Sequence, residues 1–303
     1  MAAEKTTKDT MQEYNEQMTE VENLYREVVK YDRAGDVYNA VKLCKRVARL
    51  APDWSAPFAY LGWIYKCRQE WKPTYHYSLR AVENNPFDDN TWEHLALAAT
   101  VLKEWETARL AWNQLGFEFK ESDEALRLNL GSIAACLNPG THPEIVEASR
   151  IDPARAVIES IPQPSSGHRY QDLVLLDVKP NRYHHVKGRK IPVYDELQLL
   201  KQSPWRTFAV LLHTSSRKNV NTLAQLCNEA GLGFDNWSNA ARFFTPGLHP
   251  RVSEYFDHTI FGKLERDTFL VAIASLSKPA VEEVLQSWEV ISLDAYSGLE
   301  CLF

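Results

Sequence analysis

The chain of 303 residues is expected to fold in two parts, an α-helical repeat array followed by a mixed α+β domain. Three observations carry that expectation. A pattern of large and small apolar residues recurs every 34 residues from Val21 to about Lys120. After a Pro- and Ser-rich stretch at 161–167 the apolar period changes from helical to short β-branched runs. Within the second part a short motif occurs twice, with Thr207, Phe208 and Val210 reappearing as Thr268, Phe269 and Val271.

The repeat is clearest in three windows, 21–54, 55–88 and 89–122. Pro52 and Pro86 each follow an apolar helical run and end it, because proline cannot continue a helix. Leu24, Phe58 and Trp92 share the fourth position, Val28, Gly62 and Ala96 the eighth, and Tyr31, Tyr65 and Ala99 the eleventh. Ala40, Thr74 and Ala108 share the twentieth, and Val47, Ala81 and Leu115 the twenty-seventh. Small residues at the eighth and twentieth positions let two helices approach closely, and large ones at the fourth and eleventh fill the space between pairs. Residues 1–12 are polar and are expected to be flexible. The array is placed at 13–160, with ESDEALRLNLGSIAACL read as a capping helix and PEIVEASRI and DPARAVIESI as a fourth, irregular pair. In that pair Asp152 would be the N-cap and Pro153 the first helical residue.

This pattern resembles the tetratricopeptide repeat (TPR) family, most closely in the middle window with Phe58, Leu61-Gly62, Tyr65, Ala81 and Pro86. It departs from the family at Thr74, Glu27 and Lys120. The resemblance implies that the first helices of successive pairs line a groove for an extended or helical peptide. The groove positions it implies include Tyr25 and Val29 in the first window, Trp63 and Lys66 in the second, and Glu93 and Leu97 in the third. Trp63, flanked there by Ala56 and Ala59, is the candidate anchor unless the N-terminal helix or the second domain covers it. Family members that clamp the acidic tails of heat-shock chaperones need a set of lysines, an arginine and asparagines. Here those positions hold Tyr25, Val29, Tyr60, Asn90 and His94, which implies no such clamp.

The net charge of −6 argues against a general nucleic-acid binder. Five cysteines, scattered and without CxxC spacing, point to a reducing compartment and to neither a disulfide framework nor a zinc site. The start of the chain has no apolar leader, and no uncharged apolar run is long enough to span a membrane, so the expected location is cytoplasmic, with no membrane partner.

The second part, 168–303, begins with DLVLLDV as a strand and Tyr194 to Lys201 as a helix, capped by Asp195. From Arg206 the expected order is strand, helix, strand near Asn239–Phe244, then strand, helix and a last strand at Val290–Leu293, with HPRVSEYF as an added helix. That order is similar to a ferredoxin-like βαββαβ fold with an extra strand. Such a sheet leaves an apolar face needing cover, from the repeats or from a second copy of the chain. A homodimer through this domain, or a ligand-sensing module of that kind, is therefore the alternative to an adaptor.

The densest cationic cluster is the 179–190 stretch, with Arg182, His184, Lys187, Arg189 and Lys190. It could hold a phosphate, an acidic peptide or a nucleic-acid backbone, but the blander reading is a solvated hairpin tip. His184 and His185 are adjacent and on a strand would point to opposite faces, so no metal is expected. No HExxH, GxSxG, Walker or GxGxxG segment occurs, and the expectation is a non-enzyme without a cofactor. The functional expectation is thus a scaffold or adaptor that binds a protein or peptide.

Overall fold

The computed structural model describes residues 19–186, 189–238 and 267–302, and it divides into two compact units, one up to Ala125 and one from Leu126 onward. The 1–12 segment, the strand expected near Asn239–Phe244 and the helix expected at HPRVSEYF fall outside the described residues.

The first unit is an array of helices: α1 (19–33), α2 (Val37–Leu50), α3 (Ser55–Cys67), α4 (Trp71–Asn84), α5 (Asp89–Leu102) and α6 (Trp105–Gln114). The 34-residue period reappears in the backbone. Gly35, Gln69 and Lys103, each 34 residues from the next, all have left-handed φ of 75°, 58° and 65° and end the first helix of each pair. At each end the following N–H turns back to the carbonyl at the eleventh window position: Asp36 to Tyr31, Glu70 to Tyr65 and Glu104 to Ala99, all at 2.9 Å. This reversal satisfies a carbonyl that the helix end would otherwise orphan. The twentieth-position residues Ala40, Thr74 and Ala108 are fully buried, as expected of small residues between helices. Gly62 shows how tight that contact is. A Cβ there would lie 2.5 Å from the Ser78 hydroxyl, so α3 and α4 can approach only because the side chain is missing.

The second unit corrects the expected fold. It is a closed five-stranded mixed barrel plus a separate sheet, not a ferredoxin-like domain with an extra strand. It also begins at Leu126 rather than after 161–167. The stretch read as a capping helix and an irregular helical pair forms β1 (Ser132–Leu137), β2 (Glu144–Arg150) and β3 (Arg155–Ile158). The strand from Asp172 is β4 (Leu173–Leu176), a stave of the barrel rather than an added edge. After β5 (Arg182–Val186), the expected helix at Tyr194–Lys201 is instead half of the long strand β6 (Arg189–Lys201).

In the barrel, β1, β2, β3, β4 and β6 each run antiparallel to the one before. An odd number of alternating strands brings the last back pointing the same way as the first, and β6 accordingly closes on β1 in parallel, Ala134–Cys136 against Val193–Asp195. Every second residue points inward, giving a core of Ala135 and Leu137, Val146 and Ala148, Ala156 and Ile158, and Val174 and Leu176. Asp152 does accept backbone N–H groups as an N-cap would, from Ala154 at 2.9 Å and Arg155 at 2.7 Å, but it builds the β2–β3 turn.

The sheet has the order β10 (Ala295–Cys301), β7 (Arg206–His213), β9 (Thr268–Ser275) and β8 (Gly233–Asn236), all neighbours antiparallel. Helices α7 (Arg217–Glu229) and α8 (Lys278–Ser292) join strands of it. The expected last strand at Val290–Leu293 is the end of α8, and β10 follows it. One face packs Phe208, Val210, Val271 and Ile273 against Leu223, Cys227, Leu285 and Trp288. The other face, small at Ala209, Ala272 and Ala274, is covered by Ile161, Tyr170, Trp205 and Trp237. Ile161, at the start of the stretch expected to separate the two parts, is therefore part of this core. Ile161 is fully buried, and its carbonyl accepts the Trp237 indole N–H at 3.0 Å.

Candidate functional site

The residues implied as a groove all lie on α1, α3 and α5, the first helices of the three pairs. Trp63 is 42% exposed. Its ring is 5.9 Å from that of Tyr60, one turn back on α3. The Tyr60 hydroxyl donates to Asp32 Oδ1 on α1 at 3.0 Å. Nearer the start of both helices, two turns back on α1 and one on α3, the Tyr25 hydroxyl donates to the Ala56 carbonyl at 3.4 Å and its ring meets Trp54 edge-on at 4.8 Å. These two bridges hold α1 and α3 side by side and fix the orientation of the aromatic surface.

The electrostatics keep both phenols as donors. Burial, and then the nearby Cys44 and Asp32, push the Tyr25 phenol up to about 12. The Tyr60 phenol also rises, first from burial and then from its bond to the Asp32 carboxylate. Neither loses its proton near neutral pH, so Asp32 always meets a hydroxyl donor. Val29, Lys66 and Glu93 are half-buried on the same helices. Leu97 differs: at 1% exposure it belongs to the core and offers no surface to a partner.

The basic stretch becomes the β5–β6 hairpin, paired from Arg182↔Val193 to Val186↔Arg189. Arg182 is not a free cation there. Its Nε lies 3.1 Å from Asp195 Oδ1 and its Nη2 donates to Oδ2 at 3.2 Å. Lys190 sits over the Tyr183 ring, 3.8 Å from its centroid. Lys187 lies outside the described residues, and His184 and Arg189 are placed only by their backbone pairing. The sheet face expected to need cover from the repeats or a second copy is covered by this unit's own residues.

A hollow of about 480 Å³ lies beside α6, lined by Glu106, Thr107, Leu110, Asn113, Glu121 and Ser122. Its guanidinium neighbour, Arg109, donates through Nη1 to the carbonyls of Ser122 at 2.7 Å and Glu124 at 2.6 Å. Among the described residues no group of three or more His, Cys, Asp and Glu is arranged to hold a metal ion, and no helix is long and apolar enough to cross a membrane.

Sequence reasoning placed Tyr60 near the groove but missed its bond to Asp32, which joins residues 28 positions apart. The signal was available: side-by-side first helices bring together positions about one repeat apart. It also missed the buried pair of His168 and Glu196 in the second unit, for which no local pattern exists.

No family model matches the chain, and no curated protein matches it. Among solved structures, a hypothetical protein from Neisseria gonorrhoeae is matched over 56% of this chain and 94% of that one, at 11% identity and a TM-score of 0.23. A likeness that faint carries no argument about fold or function.

Proposed function

We propose that the first unit is a tetratricopeptide-type array that binds a partner protein or peptide across α1, α3 and α5, and that the chain acts as a cytoplasmic adaptor or scaffold rather than an enzyme. The observation that carries this reading is Trp63, half-exposed on a Tyr60 ring whose hydroxyl is anchored to Asp32. An exposed tryptophan on a pre-oriented surface is the residue type that dominates interface energies, because it buries a large area and loses little freedom on binding. Asp32 keeps a second carboxylate oxygen for a partner's donor. The 34-residue recurrence of the helix-ending turns supports the family assignment.

The test is an affinity capture from native cell extract with wild type, Trp63→Ala, Glu93→Lys and Lys190→Glu, each checked for helical content. A partner should be lost with Trp63→Ala, weakened by roughly 30-fold or more for the ~2 kcal/mol typical of an anchor residue. It should persist with Lys190→Glu. The same partner held equally by Trp63→Ala and Glu93→Lys would remove this face as the binding surface.

A further inference from the structure

We propose that the seam closing the barrel is a proton-operated latch, with His168 as the group that takes up and releases the proton. The latch is a closed ring of four hydrogen bonds. The Asn138 backbone N–H donates to Glu196 Oε2 at 3.1 Å, and Glu196 Oε1 faces His168 Nε2 at 2.7 Å. His168 Nδ1 faces the Ser166 carbonyl at 2.8 Å, and the Asn138 side-chain amide donates to that same carbonyl at 2.8 Å. Both imidazole nitrogens thus face oxygen atoms that can only accept. A neutral imidazole has a single N–H and can serve one of them; the imidazolium serves both.

The position of the ring explains what it controls. The parallel β1–β6 pairing that closes the barrel spans only Ala134–Cys136 and Val193–Asp195. Glu196 is the next residue on β6, and Asn138 follows β1 directly, held in the left-handed region at φ 48°. The ring therefore ties the end of the seam to the 161–168 segment. Side chains of His168 and Glu196 are each 7% exposed, so water cannot replace a lost bond.

The charged groups around the imidazole favour its cation. Glu196 faces it from β6 and Asp172 from the segment before β4, while Arg182, Asp195 and Glu196 act on Cys136 in β1. Asp172 is itself held by the N–H groups of Arg169 and Ser203. Burial opposes the charge, but the Glu196 carboxylate, the Ser166 carbonyl and Asp172 outweigh it, and protonation persists above the ordinary 6.5. The bond's contribution is therefore complete below 6.5 and disappears as pH rises through the higher folded value. Once the proton leaves, the single remaining N–H serves either Glu196 or the Ser166 carbonyl, the other ring nitrogen turns a lone pair toward an oxygen at 2.7 or 2.8 Å, and opening the seam to water relieves that cost.

Amide hydrogen exchange of the full chain, followed residue by residue between about pH 6 and 9, tests the latch. After correction for the intrinsic base-catalysed rate, opening at Asn138 and Cys136 should rise above 6.5 by up to about tenfold per pH unit and then level off. Amides of Leu270–Ala274 in β9 should not follow, and His168→Gln should flatten the Asn138 profile. The same pH slope in wild type and His168→Gln, or one shared by β9, overturns the proposal. Should His168→Gln fail to fold, the imidazole nitrogen-15 signals of wild type decide: a titration midpoint above 6.5 is expected, and one at or below 6.5 overturns the proposal.

Discussion

The two units keep their cores closed in opposite ways. In the helical array each pair rests on its neighbour through contacts about one repeat apart, and the same turn, with the same 2.9 Å reversal bond, is made three times. In the barrel a single short seam joins strands almost 60 residues apart, and nothing duplicates it. An array distributes its stability over equivalent joints, so a defect stays local. A barrel with one closure concentrates it, so polar groups around the closure have no substitute.

The sharpest way to break that contrast is Asp152→Ala. This fully buried carboxylate takes two backbone N–H groups and pairs with Arg155 Nε at 2.5 Å. Its removal takes the acceptor from two backbone N–H groups and from the Nε of a mostly buried guanidinium, and should cost the second unit ~3–5 kcal/mol, read by urea unfolding. Helical signal from the array should survive at the urea concentration that melts the barrel. A loss of the array at the same midpoint would mean that the two cores do not behave independently.

A smaller effect is expected at the tightest joint of the array. Gly62→Ala should cost ~1–3 kcal/mol through the clash with the Ser78 hydroxyl, and adding Ser78→Ala should recover most of it, since the clashing atom is gone. No recovery in the double variant would place the strain in the α3 backbone instead. The smallest change sharpens the idea of equivalent joints. Gln69→Gly and Lys103→Gly both relieve a left-handed residue carrying a side chain, and each should stabilise by up to about 1 kcal/mol, additively. Thermal midpoints of the two single variants and the double variant check the sum.

The array was legible because its information is local and repeated. Gly62, the Tyr31–Tyr65 spacing and the prolines at 52 and 86 each state a helix packing rule within a window of one repeat. The barrel was not. EIVEASRI and YDELQLLK are rich in Glu, Ala, Leu and Lys, residues that favour helix when nothing else decides. Here pairing decides, since β2 is hydrogen-bonded on both sides and β6 bonds to β1, β4 and β5. The Pro- and Ser-rich 161–167 stretch reads as a linker by composition, yet its residues 161–163 and Ser166 are buried, with Glu144, Ser166 and Trp237 satisfying backbone groups there. Of the candidate site, Trp63 could be found from its place in the repeat. The Tyr60–Asp32 bond needed the lateral pairing of α1 and α3, and the ring around His168 needed the barrel itself.

The parallel closure has a mechanical side as well. The first and last staves are neighbours that point the same way, so tension applied at Ser132 and Lys201 pulls them past each other along their length. Their hydrogen bonds are loaded together in shear, whereas an antiparallel closure would have peeled open one bond at a time. For so short a seam, that geometry gives the barrel its resistance to stretching.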